Sequence, residues 1–359
     1  MRKRNLAAGI LLAFVVLLAV LSIPAPDPPV PAGAAGEPFT WKQDEKWKAL
    51  EASYLQAREI GCRGLQAGTA QGFRQVRQYL SVLAASPVKP EAALLDRLES
   101  LTFSLGTRVA ACPERIPDYI DLVTRERSAL KRQSRAWDLN DRIVRDRLYR
   151  MLYGGRAALE EVMLQAPAGS YPGLVRAEDV DSVTPAVVFQ GLTLRSGDIL
   201  VSRGGAPTSA LIARGNDYPG NFSHVALLHV DEKTGVPGII ESHIEMGVVV
   251  STVEEYIKDK KLRIMVLRPR PDLPQLMADP MLPHKAAKRA CDEAKSRRIP
   301  YDFAMDFRDP SKWFCSEAAS WAYRQHGVEL WKGTTRMSAP GVVRWLSYFG
   351  VTHFERSEE

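Results

Sequence analysis

A thiol, an imidazole and a carboxylate are enough for acyl transfer, and the second half of this sequence offers one of each in a suggestive setting. In Trp313-Phe314-Cys315-Ser316-Glu317-Ala318-Ala319-Ser320-Trp321-Ala322-Tyr323, the residues Phe314, Ala318, Trp321 and Ala322 recur at helical spacing. Asp309-Pro310-Ser311 just upstream is a turn signal, so Cys315 is expected in or just before the first turn of a helix. Free backbone N–H groups and the positive end of the helix dipole favour a thiolate at such a position. The plainer reading is a buried, inert cysteine, since free cysteine is mostly a core residue.

The partners would come from strands. Ser223 to Val230 reads as a strand apolar on both faces except for its histidines. Side chains alternate along a strand, so His224 shares a face with Ala226 and Leu228 while His229 points the other way. Gly238 to His243 and Gly247 to Ser251 form a predicted hairpin around Glu245-Met246-Gly247, with Glu241 and His243 on one face. A carboxylate flanked by Ile239 and Ile240 needs a partner if buried. An imidazole would supply it, oriented by the carboxylate and in turn deprotonating the thiol. Cys315, His224 and Glu241 are then nucleophile, base and orienter. Parity does not separate Glu241 from His243, but only the carboxylate stabilises an imidazolium with negative charge. Singly, His224 reads as a core histidine and Glu241 as an edge-strand charge; the ordered combination is what points to chemistry.

The surrounding elements follow. Ala166-Pro167-Ala168-Gly169-Ser170-Tyr171-Pro172-Gly173 marks a domain boundary, after which short β-type runs begin. Gly197 to Val201 and Leu262 to Leu267 are further strands, and His284 to Arg297 has helical spacing. Tyr218, Phe222, Trp313 and Trp321 line either a pocket or the core. Before the boundary, Trp41 to Gln165 is rich in Ala, Leu, Arg, Glu and Gln. Trp47, Leu50, Tyr54 and Ala57 lie on one predicted face, Val76, Leu80 and Leu83 on a second, and Leu94, Leu98, Leu101 and Leu105 on a third. Tyr119 to Val162 continues with acid–base pairs at i, i+4. Four or five helices, as a bundle or an elongated arm, are expected.

The N-terminus bears on compartment. Met1-Arg2-Lys3-Arg4 precedes an uninterrupted apolar run from Leu6 to Ile23, an export signal followed by a Pro/Ala/Gly-rich linker to Pro38. The poor cleavage context at Pro24-Ala25-Pro26 favours an uncleaved anchor over a cleaved signal. The net charge of +6 is spread rather than clustered and no basic block is interleaved with aromatics, so nucleic acid is not an expected partner. The four cysteines show neither a CxxC pair nor zinc-ligand spacing, and no HExxH occurs; no metal or cofactor is expected. Export leaves open a disulfide between Cys62 and Cys112, or two buried thiols.

Taken in order, Leu194-Arg195-Ser196-Gly197-Asp198-Ile199-Leu200, Phe222-Ser223-His224-Val225, Ile240-Glu241-Ser242 with Gly247-Val248, Tyr301-Asp302-Phe303 and Phe314-Cys315-Ser316-Glu317 resemble the circularly permuted branch of NlpC-type papain-like cysteine hydrolases, and within it the YiiX/YaeF-like group. In that branch the histidine strand precedes the cysteine helix, as here. The resemblance covers about residues 190–345. It implies His224 as general base, Glu241 as third polar residue and Cys315 as nucleophile, acting on peptide-type amides or lipid acyl bonds. The expected architecture is α+β: an anchor or signal (1–23), a linker (24–38), a helical domain (39–165) and a permuted papain-like domain (190–350), with a small antiparallel sheet packed on the catalytic helix. Such a protein would act at the cell envelope, on the periplasmic side, and meet the membrane through its N-terminal apolar segment. The rival expectation is a non-catalytic peptide- or lipid-binding scaffold on an envelope anchor.

Overall fold

The computed structural model describes residues 12–18, 45–167, 169–177, 180–214, 220, 222–259, 261–306, 309–330, 332–333 and 357–358. The fold is mixed α+β, a helical region followed by a five-stranded antiparallel sheet with helices. Residues 12–18 form a short helix, α1, with exposed side chains; the rest of the Leu6–Ile23 run and the linker lie outside the described residues. Among those described, no helix is long and apolar enough to cross a membrane.

The helical region comprises α2 (Glu45–Ala85), α3 (Ala93–Ala110), α4 (Ile116–Gln133), α5 (Arg142–Leu148) and α6 (Gly155–Gln165). Its core is the apolar stripe of each helix: Tyr54, Phe73 and Val76 meet Leu95, Leu98 and Leu105, then Ile116, Tyr119 and Leu130. On α3 the most buried stripe runs through Leu95, while Leu94 and Leu101 are only partly covered. The run from Tyr119 to Val162 is not one helix. Asp141 stops the chain and caps α5 by accepting from the Ile143 N–H at 2.9 Å, and a π-turn at Tyr149–Gly154 leads into α6. Buried Arg147 on α5 bridges Asp96 (2.6 Å) and Glu99 (3.0 Å) of α3.

Cys62 and Cys112 are joined by a disulfide. The 41-residue α2 is interrupted at Gly61, whose φ of 71° only glycine adopts easily, one residue before the bridge.

The sheet region opens with a hairpin, β1 (Ala186–Phe189) and β2 (Leu192–Arg195), turning through Gln190-Gly191 in left-handed conformation. The strands β3 (Ile199–Gly204), β4 (His224–Val230), β5 (Pro237–His243), β6 (Gly247–Ser251) and β7 (Lys261–Leu267) stand in the order β6-β5-β4-β3-β7. Between them lie α7 (Pro207–Arg214) and α8 (Val253–Lys258), the latter opened by a Thr252–Glu255 capping box.

The sheet is covered on both faces. Leu227 and Ile240 pack against α10 (Leu282–Ser296) and α11 (Glu317–Arg324), which follow the short α9 (Pro274–Ala278). Ala226, Leu228 and Ile239 pack on the other face with Leu194, Val253 and Tyr256. Two ties fix α11 and the strand ends. Tyr323 Oη donates to the Gly197 carbonyl at 2.6 Å, and Arg268 grips buried Asp198 with Nε to Oδ1 at 2.7 Å and Nη2 to Oδ2 at 2.9 Å. A last pair, β8 (Lys332–Gly333) with β9 (Ser357–Glu358), completes the described elements.

Candidate active site

The site lies at the end of the sheet where β4 begins and β5 ends. His224 and Glu241 project from the face they share with Ala226 and Ile239, whereas α11 packs on the opposite face. The chain entering α11 crosses the strand ends and closes this gap. Trp313 is buried; its carbonyl accepts from Ser242 Oγ at 2.7 Å, and its N–H donates to the Pro300 carbonyl at 3.1 Å. Gly247, with φ 77°, lets the hairpin tip press on Ile299 and Pro300; a Cβ there would collide with the Ile299 carbonyl. The helix begins at Glu317, so Cys315 stands just before its first turn. Glu317 accepts from the Phe314 N–H at 3.0 Å and thereby fixes the entry. Half-buried Cys315 has its Sγ 4.0 Å from the Ser223 carbonyl, directly beside His224.

Three side chains meet on one imidazole and its carboxylate. His224 Nε2 lies 2.8 Å from Glu241 Oε2, and Cys315 Sγ stands at the carbonyl of the preceding residue, Ser223. The second oxygen of Glu241 is also taken: Ser251 Oγ donates to Oε1 at 2.8 Å, and His243 Nε2 is 3.2 Å away. Burial opposes charge on His224, but the hydrogen bonds to Cys315 and Glu241 outweigh it and raise the pKa from 6.5 to about 9. Burial would also push Glu241 up; the bonds from His224 and His243 win and hold its carboxyl well below the usual range. At neutral pH the pair is therefore an imidazolium on a carboxylate. Nearby, burial and then the charge of Cys315 raise the Tyr301 phenol above its ordinary pKa, so it keeps its proton.

Cys315, His224 and Glu241 are thus brought together, and His243 joins them through Glu241 rather than through His224. His229 is on the other face, its ring stacked on His284 at 5.4 Å. Trp313 and Trp321 pack against each other within the core, ring centroids 4.6 Å apart and planes tilted by 37°. Phe222 lies half-buried under Arg156 of α6, and Tyr218 is outside the described residues. Ser251 and Tyr301 were not singled out by the sequence as site residues. Ser251 has a signal, a polar residue closing the apolar run Val248-Val249-Val250; Tyr301 stands in the Tyr301-Asp302-Phe303 motif, but nothing local in the sequence gives its place near Cys315.

The trio of metal-competent residues found among those described is Cys62, Cys112 and Glu114, in the helical region. Its two sulfurs are spent in the disulfide and are no thiolate ligands.

No family model, curated protein or solved structure matches this chain. What the site can do is a matter of its own geometry: a thiol beside an imidazole that is itself bonded to a carboxylate suits proton transfer at sulfur.

Proposed function

We propose that the chain is a thiol hydrolase that cleaves an amide, ester or thioester bond, with Cys315 as nucleophile, His224 as general base and acid, and Glu241 as the residue that orients and charges His224. The observation that carries this reading is His224, bonded to Glu241 at 2.8 Å and next in sequence to the Ser223 carbonyl that Cys315 Sγ meets at 4.0 Å. In the first half-reaction the thiol proton resides on His224 and sulfur attacks the substrate carbonyl carbon. The new S–C bond pushes the carbonyl electrons onto oxygen. The Cys315 N–H has no partner among the described residues and is an available oxyanion donor. Collapse of this intermediate expels the leaving nitrogen, oxygen or sulfur, which takes the proton from His224. Water then gives a proton to His224, attacks the thioester and releases the acid, returning the proton to sulfur. The order of the parts, histidine and carboxylate strands before the cysteine helix, is that of the circularly permuted papain-like branch, whose substrates are peptide-type amides or lipid acyl bonds.

The compartment is part of the same proposal. A basic flank followed by the apolar Leu6–Ile23 run sends the chain to the cell envelope, on the periplasmic side, and the Cys62–Cys112 disulfide suits an oxidising compartment.

Brief iodoacetamide treatment of the whole protein, followed by peptide mapping, tests the chemistry. Cys315 should label at mildly acidic pH faster than an unperturbed thiol. Buried Cys291, whose thiol burial pushes up, should not. The His224→Ala variant should lose the Cys315 advantage. Labelling of Cys315 no faster in the parent than in His224→Ala would refute the reading.

A further inference from the structure

Among the described residues, the helical region meets the lead-in to the histidine strand at Arg156. Arg156, in the first turn of α6, places its guanidinium 4.4 Å from the centroid of the Phe222 ring. Phe222 is the residue before Ser223, whose carbonyl faces Cys315 Sγ, and two before His224. Arg156 is itself held: Glu160, one turn along α6, pairs with it at 2.5 Å, and the second oxygen of Glu160 takes Arg263 of β7 at 3.0 Å. The ladder Arg263–Glu160–Arg156–Phe222 therefore ties an edge strand, a helix and the lead-in to the histidine strand together. Burial works against the charge on Arg156 and Glu160 supports it, a cost not met at an ordinary surface contact. A cation over an aromatic face is strongest where both are shielded from water.

Among the described residues the lead-in has two backbone bonds before the strand, Gly220 N–H to the Ala213 carbonyl at 2.7 Å and Ser223 N–H to the Ser202 carbonyl at 2.9 Å. The Ser223 hydroxyl, although buried, has no partner among the described residues. With so few other restraints, the orientation of the Ser223 carbonyl depends on where Phe222 is pinned.

We propose that Arg156 is a positioning residue: by clamping Phe222 it holds the Ser223 carbonyl and the start of β4 in the register that sets His224 against Cys315. The helical region is then a working part of the site rather than a spacer. This inference rests on the reading of Cys315 and His224 as the reacting pair.

The experiment follows the rate of Cys315 alkylation by iodoacetamide against pH, from about pH 5 to about pH 9, in the full chain. Arg156→Ala should slow Cys315 labelling at neutral pH about tenfold to a hundredfold, the scale produced when reacting groups are misplaced by about 1 Å, and should shift the pH profile. Arg156→Lys keeps a cation over the ring and should restore most of the rate. Arg135→Ala, which removes the 2.7 Å pair with Asp272, breaks a different contact between the two regions and should leave the profile unchanged. If Arg156→Ala fails to fold, Phe222→Leu decides, since it keeps apolar bulk but removes the ring; it too should slow labelling. A profile for Arg156→Ala or Phe222→Leu that coincides with the parent overturns the inference and leaves the hydrolase reading standing. An Arg135→Ala effect as large as that of Arg156→Ala overturns it as well. Parent Cys315 that labels no faster than an ordinary thiol sinks both.

Discussion

Glu241 stands between two imidazoles, 2.8 Å from His224 Nε2 through one oxygen and 3.2 Å from His243 Nε2 through the other. The two histidine rings are 5.9 Å apart and tilted at 43°, and it is the carboxylate that links them. Such an arrangement assigns unequal roles: His224 adjoins the residue that meets the thiol, Glu241 touches His224, and His243 supports the carboxylate from behind.

Glu241→Gln should therefore cripple hydrolysis, by up to about 10⁴-fold on the scale of the equivalent change in a Ser-His-Asp triad. His243→Ala removes one of two donors to Oε1, and Ser251 remains, so its loss should be much smaller. Turnover of any acyl substrate that the parent cleaves checks both. A dead His243→Ala beside a near-normal Glu241→Gln would move the orienting role two residues along the strand.

The same pair predicts a pH dependence of stability. The folded pKa of His224, about 9, lies above its ordinary 6.5, so charging it favours the folded state. That contribution is complete below 6.5 and is lost as pH rises through about 9. Glu241 has the opposite sign: its depressed pKa stabilises the fold above the ordinary 4.5, and the gain disappears in strong acid. The difference in thermal midpoint between the parent and Glu241→Gln should be largest between those limits and shrink from pH 6.5 to about 9. A constant difference across that window would contradict the ion pair.

Much of this site was legible because strand parity and chain order are local properties. His224 against His229, Glu241 with His243, and Cys315 at a helix entry all follow from period and punctuation. The β1–β2 hairpin was not, because Gln190-Gly191 lacks the usual turn dipeptide, yet both residues take the left-handed conformation. The break between α4 and α5 escaped for a different reason. Acid–base pairs at i, i+4 persist across it, and only the Asp141 cap marks the restart. The contacts of Ser251, Tyr301 and Arg156 depend on tertiary neighbours that no local pattern encodes. The sequence leaves the Cys62–Cys112 bridge as one of two alternatives, since helix ends do not fix a distance.

That bridge should matter to stability. It closes a sequence separation of 50 residues, for which chain entropy predicts about 4 kcal/mol. The double variant Cys62→Ser, Cys112→Ser should unfold at correspondingly lower denaturant concentration. Non-reducing peptide mass spectrometry should recover the linked peptides from the parent; two free thiols in protein isolated without reductant would end the assignment.

Gly247→Ala tests the hairpin tip. The positive φ costs a side chain about 1–2 kcal/mol, and the added Cβ also meets the Ile299 carbonyl. Both stability and Cys315 labelling should fall, because the displaced backbone at Ile299 and Pro300 carries Trp313 and with it the approach to Cys315. A variant with parent stability and labelling would show that the tip is not held as described.

Ser223 and Cys315 touch across 92 residues of sequence, and the sulfur comes last. A chain stopped between residues 241 and 315, by failed translation or by proteolysis, keeps His224 and Glu241 but lacks the Cys315 sulfur for them to act on. On the proposed chemistry, truncation fragments of this protein are inert instead of partly active, and no separate inhibitory segment is needed to keep an unfinished product harmless.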